Sequence, residues 1–243
     1  DALKRASAKR ITVVAPFYPY ARQDKKHRGR EPISARLIAD LFRTAGANRL
    51  MSVDLHAAQI QGFFDGPVDH LWALPVLSDY LSTKYDTSEM TVVSPDAGRV
   101  RLADMWTDRL NSSLAIIHKR RDPDVANTVA IHEVVGEVED RVCLLVDDMI
   151  DTAGTICQAA EALKSRGARA VIAAATHPVL SGPATDRLKA ADFEEVIVTN
   201  TLPIPEERRF DSLTVLSIAP LIARAIREVF EDGSVTSLFN GQA

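Results

Sequence analysis

The amino-acid sequence predicts an α/β protein whose sheets are mostly parallel. Apolar runs of strand length alternate along the chain with segments whose apolar residues recur at helical spacing. The run at 142–146 is continuously apolar, which is typical of a strand buried on both faces of a parallel sheet. Because parallel strands need a crossover between them, helices that alternate with strands indicate helices packed on such a sheet.

The first 75 residues predict only part of one such sheet. The predicted elements are a strand at 11–16, a loop at 18–32, a helix at 33–45 that Gly46 ends, a strand at 49–54, and a packed crossover at 59–75. The chain opens on what resembles the end of a helix and leads directly into a strand. We therefore expect the first domain to be truncated at its N-terminus.

The second part of the chain predicts a longer series of strands. Strands are predicted at 90–95, 113–122, 142–146, 170–177, 195–200 and 213–219, and helices at 76–85, 99–110, 156–167 and 220–231. The polar segment at 122–141 fits a charged hairpin. We expect two stacked α/β domains, one comprising 1–73 with the tail 220–243, and the other 74–219.

Composition narrows the classes of partner. The net charge is −4, so no overall positive charge favours nucleic acid or an anionic membrane. Apolar residues make up 46% of the chain, but no apolar run is long enough to span a bilayer. Cys143 and Cys157 fit reduced thiols better than a disulfide framework, which favours a cytoplasmic location.

The segment VCLLVDDMIDTAGTI, at 142–156, has the composition of a phosphosugar site. Asp147 and Asp148 follow the apolar strand in a predicted acidic turn, and small hydroxyl-rich residues then lead into a helix. Backbone N–H groups at a helix N-terminus favour a phosphate, and the carboxylates before it can accept hydrogen bonds from sugar hydroxyls. Taken singly, these features also fit a solvated turn and a helix cap.

Other predicted strands also end in polar groups. Arg22 and Gln23 follow the first strand, His56 follows the second, and Asp96 follows the strand at 90–95. In open α/β sheets, ligands bind at the carboxyl ends of the strands, so these side chains are candidates to contact one. The strand predicted at 113–122 carries a basic group near its end, formed by Lys119, Arg120 and Arg121.

These motifs together resemble the ribose-phosphate pyrophosphokinase family over essentially the whole chain. VDDMIDTAGTI is similar to the phosphate loop of type I phosphoribosyltransferases, whereas YARQDKK and DLHAAQIQGFF resemble the pyrophosphokinases alone. The resemblance implies two phosphoribosyltransferase-like domains. It also implies a ribose-phosphate diphosphokinase that transfers the diphosphoryl group of ATP to the C1 hydroxyl of ribose 5-phosphate, giving phosphoribosyl pyrophosphate and AMP.

The resemblance assigns roles to individual residues. It implies ribose 5-phosphate binding by Asp147, Asp148, Asp151, Thr152, Ala153, Gly154 and Thr155, ATP binding by Arg22, Gln23 and His56, magnesium binding by His56 and Asp96, and catalysis by Lys119 and Arg121. Two positions depart from the commonest family pattern. Ala153 replaces a frequent Gly, which is tolerable if its φ angle is negative. Arg99 follows Gly98 where a second Gly is common.

The resemblance also implies a homohexamer, activated by phosphate and inhibited by ADP. The matching residues are Lys26, Arg30, Ser234, Thr236 and Phe239, although a solvated loop and a frayed tail are the alternatives for them. A phosphoribosyltransferase that consumes phosphoribosyl pyrophosphate is another alternative, and YARQDKK argues against it. A non-catalytic or truncated synthetase-like subunit is a third, and the presence of Lys119 and Arg121 argues against a non-catalytic subunit.

Overall fold

A computed structural model describes residues 1–120 and 131–239. The strands in these ranges are β1 (Thr12–Val14), β2 (Arg49–Val53), β3 (Val68–Leu71), β4 (Met90–Ser94), β5 (Ser113–Arg120), β6 (Ile131–Val135), β7 (Val142–Ile150), β8 (Ala170–Pro178), β9 (Glu195–Thr199) and β10 (Leu213–Leu216). The α-helices there are α1 (Ala2–Arg5), α2 (Ser34–Ala45), α3 (Leu74–Lys84), α4 (Val100–Leu110), α5 (Gly154–Ser165), α6 (Ala184–Ala190) and α7 (Ala219–Phe230). Short 3₁₀ helices lie at Ala58–Phe63, Thr87–Glu89, Ala97–Arg99, Glu206–Arg208 and Val235–Phe239.

The predicted α/β class with mostly parallel sheets is confirmed. Over the described residues, one sheet has three parallel strands in the order β1-β2-β3. The other has seven strands in the order β10-β9-β8-β7-β4-β5-β6. Neighbours in the larger sheet are parallel except β5 and β6, which pair in antiparallel fashion. Residues 122–130 of the segment interpreted as a charged hairpin lie outside the described residues.

The chain divides into two compact units. The first comprises Asp1–Ala73 together with Ile218 and the residues that follow it, and the second comprises Leu74–Ser217. In the first unit, α2 and the loop after β1 pack Ala35, Ala39 and Tyr18 onto Leu50 of β2. The hydroxyl of buried Tyr18 donates to the carbonyl of Ala35 at 2.8 Å, which ties this loop to the start of α2.

The core of the second unit lies around its central strands β7 and β8. Leu144 and Leu145 of β7 are fully buried, as are Val171 and Ile172 of β8. Residues of α5, among them Leu163, cover one face of these strands. The continuously apolar sequence at 142–146 therefore matches a strand buried on both faces, as predicted.

The prediction for the segment at 59–75 is wrong in part, because it contains β3 and a 3₁₀ helix. β3 includes Asp69 and His70, and these polar residues make its sequence resemble a connecting loop rather than a strand. The Asp69 carboxylate pairs with Arg49 of β2 at 2.7 Å, and His70 Nε2 accepts the backbone N–H of Leu55 at 2.9 Å. Neighbouring segments thus satisfy polar side chains that would otherwise disfavour a strand.

The prediction of an acidic turn after residue 146 is also wrong. β7 continues through Ile150, so Asp147 and Asp148 lie within the strand, where Asp147 pairs with Ala175 of β8. The alternative of a frayed C-terminal tail is wrong for Val235–Phe239, which form a 3₁₀ helix with Phe239 buried.

Two further expectations concern the cysteines and the membrane. Cys143 and Cys157 are free thiols, and burial raises the pKa of each to about 11. Neither thiol is therefore activated as a nucleophile. None of the helices in the described ranges combines the length and apolarity required to cross a bilayer.

Candidate functional site at the sheet switch point

The order of the large sheet creates a switch point between β4 and β7. From β4 the chain continues to β5 and β6 on one side, whereas from β7 it continues to β8, β9 and β10 on the other. Connections that leave in opposite directions open a crevice at the carboxyl ends of the two strands, where ligands bind in such folds. Val93 pairs with Leu145, so Asp96 and the acids of β7 reach the same edge.

The turn after β4 presents the carboxylate of Asp96 to solvent. Its Oδ1 accepts the backbone N–H of Gly98 at 2.8 Å, and the Ser94 hydroxyl donates to its backbone carbonyl at 2.7 Å. A Cβ at position 98 would lie 3.1 Å from Asp96 Oδ1, so a glycine keeps this turn compact. The turn holds an exposed carboxylate at the crevice.

The acids of β7 share one guanidinium. Arg99 donates from Nε to Asp147 Oδ1 at 2.9 Å and from its terminal Nη2 to Asp148 Oδ1 at 2.6 Å. The backbone N–H of Asp148 also donates to Asp147 Oδ1 at 2.8 Å. Burial and the adjacent Asp148 raise the pKa of Asp147 to about 8, and Arg99 opposes that rise.

The loop between β7 and α5 is held from one side by the segment around α6. The backbone N–H of Ser181 donates to the carbonyl of Asp151 at 2.9 Å, and the Ser181 hydroxyl donates to the Asp151 carboxylate. Arg187 donates to the carbonyl of Thr152 at 2.9 Å. Because α5 begins at Gly154, its first backbone N–H groups follow this loop directly.

The backbone of Ala153 is strained, contrary to the expectation that a negative φ angle makes an alanine tolerable at this position. Its φ angle is +60°, in the left-handed region, rather than negative. This conformation costs a non-glycine residue about 1–2 kcal/mol. The contacts to Asp151 and Thr152 on its N-terminal side hold the loop in this conformation, so part of the folding free energy maintains the shape of the helix entry.

In the first unit, a hydrogen bond connects the two segments that carry the ATP-binding candidates. Arg22 and Gln23 are exposed, and the next residue, Asp24, is buried. Asp24 accepts a hydrogen bond from Gln59 Nε2 at 2.5 Å. Gln59 lies three residues after the half-buried His56. The Asp24–Gln59 contact thus fixes the basic loop against the segment that follows β2.

The structure describes the two basic candidates at the end of β5, Lys119 and Arg121, only in part. The backbone of Lys119 lies in β5 and pairs with His132 of β6. Its side chain and the whole of Arg121 lie outside the described residues. Because Ser94 pairs with Ile116, Lys119 extends beyond the end of β4, at the same edge as Asp96.

The residues matched to effector binding have different environments. Lys26 and Arg30 are exposed, and the Ser234 and Thr236 hydroxyls are 2.7 Å apart. Phe239 is buried. The exposure of Lys26 and Arg30 therefore allows an anion to approach the basic loop, whereas Phe239 is a packing residue of the first unit.

Reasoning from sequence missed three residues at the candidate site. The sequence shows Arg99 only as a departure from the family pattern, and it gives no local signal for Ser181 or Arg187. Ser181 and Arg187 contact residues 30 and 35 positions earlier, respectively, so no local pattern reveals them. The extra positive charge directly after Asp96-Ala97-Gly98 was the one available signal for Arg99.

A magnesium ion would have to rely on few protein ligands here. In the part of the chain that the structure describes, no three His, Cys, Asp or Glu side chains cluster closely enough to hold a metal ion. Mg²⁺ is usually bound by one or two carboxylates with water and substrate phosphates completing its shell. The exposed carboxylate of Asp96 fits that mode of binding.

Comparison with known proteins gives consistent matches along the chain. The N-terminal domain of ribose phosphate pyrophosphokinase matches residues 1–46, and the phosphoribosyl synthetase-associated domain matches residues 124–240. A ribose-phosphate pyrophosphokinase of Streptomyces avermitilis is 71% identical over 242 residues, which cover 100% of this chain and 75% of that protein. One of Mycobacterium leprae is 64% identical over 244 residues with the same coverages.

A solved structure supports the same relationship. The crystal structure of a phosphoribosylpyrophosphate synthetase from Mycobacterium smegmatis matches with a TM-score of 0.89 and 61% sequence identity. The match covers 96% of this chain and 75% of that chain. The similarity therefore extends across both compact units rather than being confined to the phosphate loop.

Proposed function

Because the chain belongs to the ribose-phosphate pyrophosphokinase family, we propose that it transfers the diphosphoryl group of ATP to the C1 hydroxyl of ribose 5-phosphate. The products are AMP and phosphoribosyl pyrophosphate, and the latter feeds nucleotide biosynthesis. The observation that carries the proposal is the arrangement at the switch point. There, Asp96, the Asp147–Asp148 pair and the N-terminus of α5 meet at one edge of a sheet.

The acceptor substrate fits the loop between β7 and α5. A 5-phosphate would be bound by Thr152, Thr155 and the first backbone N–H groups of α5, where the helix dipole favours negative charge. Asp147 and Asp148 would accept hydrogen bonds from the ribose hydroxyls. Asp151 is held by Ser181 and would fix the position of the loop relative to the sugar.

The donor substrate is assigned to the first unit. Arg22 would compensate the phosphate charge of ATP, Gln23 would offer its amide, and His56 would contact the phosphates. The partly buried Asp24–Gln59 hydrogen bond supports this assignment, because it holds the segments of these candidates together. The exposure of Arg22 and Gln23 leaves both side chains accessible to a nucleotide.

Magnesium is proposed as the cofactor, with Asp96 and His56 as protein ligands. When bound, it would neutralise phosphate oxygens that would otherwise repel the incoming hydroxyl. The chain's own contribution is positioning and charge stabilisation, which dominate catalysis of phosphoryl-type transfer. Lys119 and Arg121 are assigned to stabilise the charge of the transferring group.

Assembly, regulation and location are proposed from the family relationship. A homohexamer, activation by phosphate and inhibition by ADP are proposed, with Lys26 and Arg30 as exposed anion contacts. The buried Phe239 is assigned to packing of the tail rather than to effector contact. A cytoplasmic location accords with the two free thiols.

One assay tests the proposed reaction. The chain is incubated with ATP, ribose 5-phosphate and Mg²⁺, and release of AMP and formation of phosphoribosyl pyrophosphate are measured. Equal amounts of the two products are expected. Asp148→Asn serves as the control, because it removes a charge that the acceptor site needs.

A second measurement separates the alternatives. Calorimetric binding of ribose 5-phosphate without ATP, combined with no AMP release, would indicate a non-catalytic or truncated subunit. Consumption of phosphoribosyl pyrophosphate in the presence of a nucleobase, without AMP release from ATP, would indicate a phosphoribosyltransferase. Absence of both binding and turnover would contradict the assigned acceptor site.

Arg187 is expected to support binding of the acceptor substrate. Arg187→Ala removes the hydrogen bond to the Thr152 carbonyl beside the strained Ala153, so the loop should lose its fixed shape. We expect the KM for ribose 5-phosphate to rise about tenfold, the loss typical of one charge-assisted hydrogen bond. Lys189→Ala, an exposed substitution on the same helix, is the matched control. A KM that rises equally for ATP would contradict this role.

A further inference from the structure

We propose that Arg99 is a positioning residue for ribose 5-phosphate, which orients the Asp147–Asp148 pair toward the ribose hydroxyls and favours its ionised form. The inference rests on the proposed acceptor site and assigns a role to a residue outside it. Arg99 immediately precedes α4, which follows β4, whereas both acids belong to β7. The guanidinium therefore joins the two strands that flank the switch point.

The contact geometry is that of one cation shared by two anions. Arg99 uses two different nitrogens, one for Oδ1 of each acid. Each carboxylate has about four acceptor sites, so one bond from Arg99 does not exhaust the acceptor capacity of either acid. The arrangement thus fixes both groups while retaining capacity for sugar hydroxyls.

Burial makes this cation necessary. The side chain of Asp148 is 6% exposed and that of Asp147 is 24% exposed, so water contributes little to solvating the pair. Two adjacent carboxylates in such surroundings retain a proton to high pH, and a nearby cation lowers the pH at which both ionise. Arg99 is the cation that opposes the rise in the pKa of Asp147, and the Asp151 carboxylate accepts a hydrogen bond from Ser181.

A protonated acid would serve the sugar less well. An ionised carboxylate accepts hydrogen bonds with both oxygens, whereas a protonated one carries a donor that competes with an incoming hydroxyl. Hydrogen bonds to an ionised acceptor are also stronger than neutral ones. Loss of Arg99 should therefore weaken the binding of ribose 5-phosphate without a comparable effect on ATP.

The kinetic test compares Arg99→Ala and Arg99→Lys with Arg101→Ala. Arg101 is exposed in the first turn of α4, two residues after Arg99, and its removal matches the change in net charge. We expect Arg99→Ala to raise the KM for ribose 5-phosphate about thirtyfold, as for the loss of one or two charge-assisted hydrogen bonds. The KM for ATP should stay within about twofold, and Arg99→Lys should recover part of the loss because lysine retains the charge.

A second readout is independent of turnover. Carboxyl ¹³C NMR, with signals assigned from Asp147→Asn and Asp148→Asn, follows protonation of the pair in the folded chain. The pair should retain a proton to higher pH in Arg99→Ala than in the wild type, and Arg101→Ala should titrate like the wild type.

The two readouts distinguish failure of this role from failure of the proposed acceptor site. An unchanged titration in Arg99→Ala would overturn the role of Arg99 as counter-ion. A lower KM for ribose 5-phosphate would overturn it as well, since Arg99 would then compete with the sugar. A shifted titration with no ribose 5-phosphate binding by the wild-type chain would instead place the fault in the proposed site and support the role of Arg99 toward the acids.

Discussion

Replacing Lys119 with alanine is expected to lower turnover about a hundredfold or more at saturating substrate, the range seen when one preorganised donor is removed. β5 extends the backbone of Lys119 past the end of β4, to the sheet edge where Asp96 lies. A cation carried there can stabilise charge on the diphosphoryl group as it moves to the sugar. Steady-state rates of AMP release would measure the loss.

The kinetic pattern distinguishes catalysis from binding. A group that acts mainly in the transition state changes kcat more than KM, so both KM values should stay near those of the wild type. Lys119→Arg should restore part of the rate because it retains the charge. Lys189→Ala controls for the loss of one exposed lysine. Unchanged turnover in Lys119→Ala would remove this residue from the proposed mechanism.

Replacing Glu195 with alanine is expected to destabilise the second unit by about 3 kcal/mol, because several partly buried donors lose their buried acceptor together. Tyr80 donates to Glu195 Oε1 and Tyr85 to Oε2, each at 2.7 Å. Thr214 donates to the same carboxylate, and Lys84 pairs with it at 3.0 Å. Urea unfolding followed by circular dichroism would measure the change.

The neighbouring Glu194 provides the control, since it is exposed and carries the same charge. Glu194→Ala should change the free energy of unfolding by no more than about 0.5 kcal/mol. Lys84 is 47% exposed, so solvent screens its share, and most of the effect should come from the hydroxyl donors. A loss equal to that of Glu194→Ala would show that the buried carboxylate does not stabilise the unit.

The pH dependence of unfolding should also reveal the contribution of Glu195 to stability. Burial alone would raise the pKa of Glu195, but hydrogen bonds from Thr214, Tyr80, Tyr85 and Lys84 outweigh it and lower the pKa. A depressed pKa stabilises the fold above the unfolded-state pKa of about 4.3, and this stabilisation is lost as pH falls through the lower folded pKa. Glu195→Gln should therefore lack that part of the acid dependence of unfolding.

Sequence patterns predict well those elements whose burial is visible in the residues themselves. The apolar run at 142–146 and the helix ended by Gly46 are examples, because their signals lie within a few neighbouring residues. β3 was missed because its polar residues are satisfied by Arg49 and Leu55, about 15 to 20 positions earlier. The strength of such a strand depends on partners that a local window of sequence does not contain.

The candidate site shows the same limit. The chemistry of Asp147 and Asp148 is evident from sequence, yet their electrostatic environment includes Arg99, 48 positions before the first acid. The φ angle of Ala153 likewise depends on contacts made by the segment around α6 to its neighbouring residues. Sequence reasoning thus identifies the reactive groups, whereas long-range contacts decide the charge and the backbone conformation of those groups.

Glu195 and the acids of the crevice occupy opposite ends of parallel strands in one sheet. Glu195 begins β9, whereas Asp148 and Asp96 lie where β7 and β4 approach their carboxyl ends. Substitutions around Glu195 can therefore alter the resistance of this unit to heat or denaturant without touching a substrate contact. Selection for a warmer habitat and selection for a faster reaction would act on separate residues of this unit, so adaptation to either need not compromise the other.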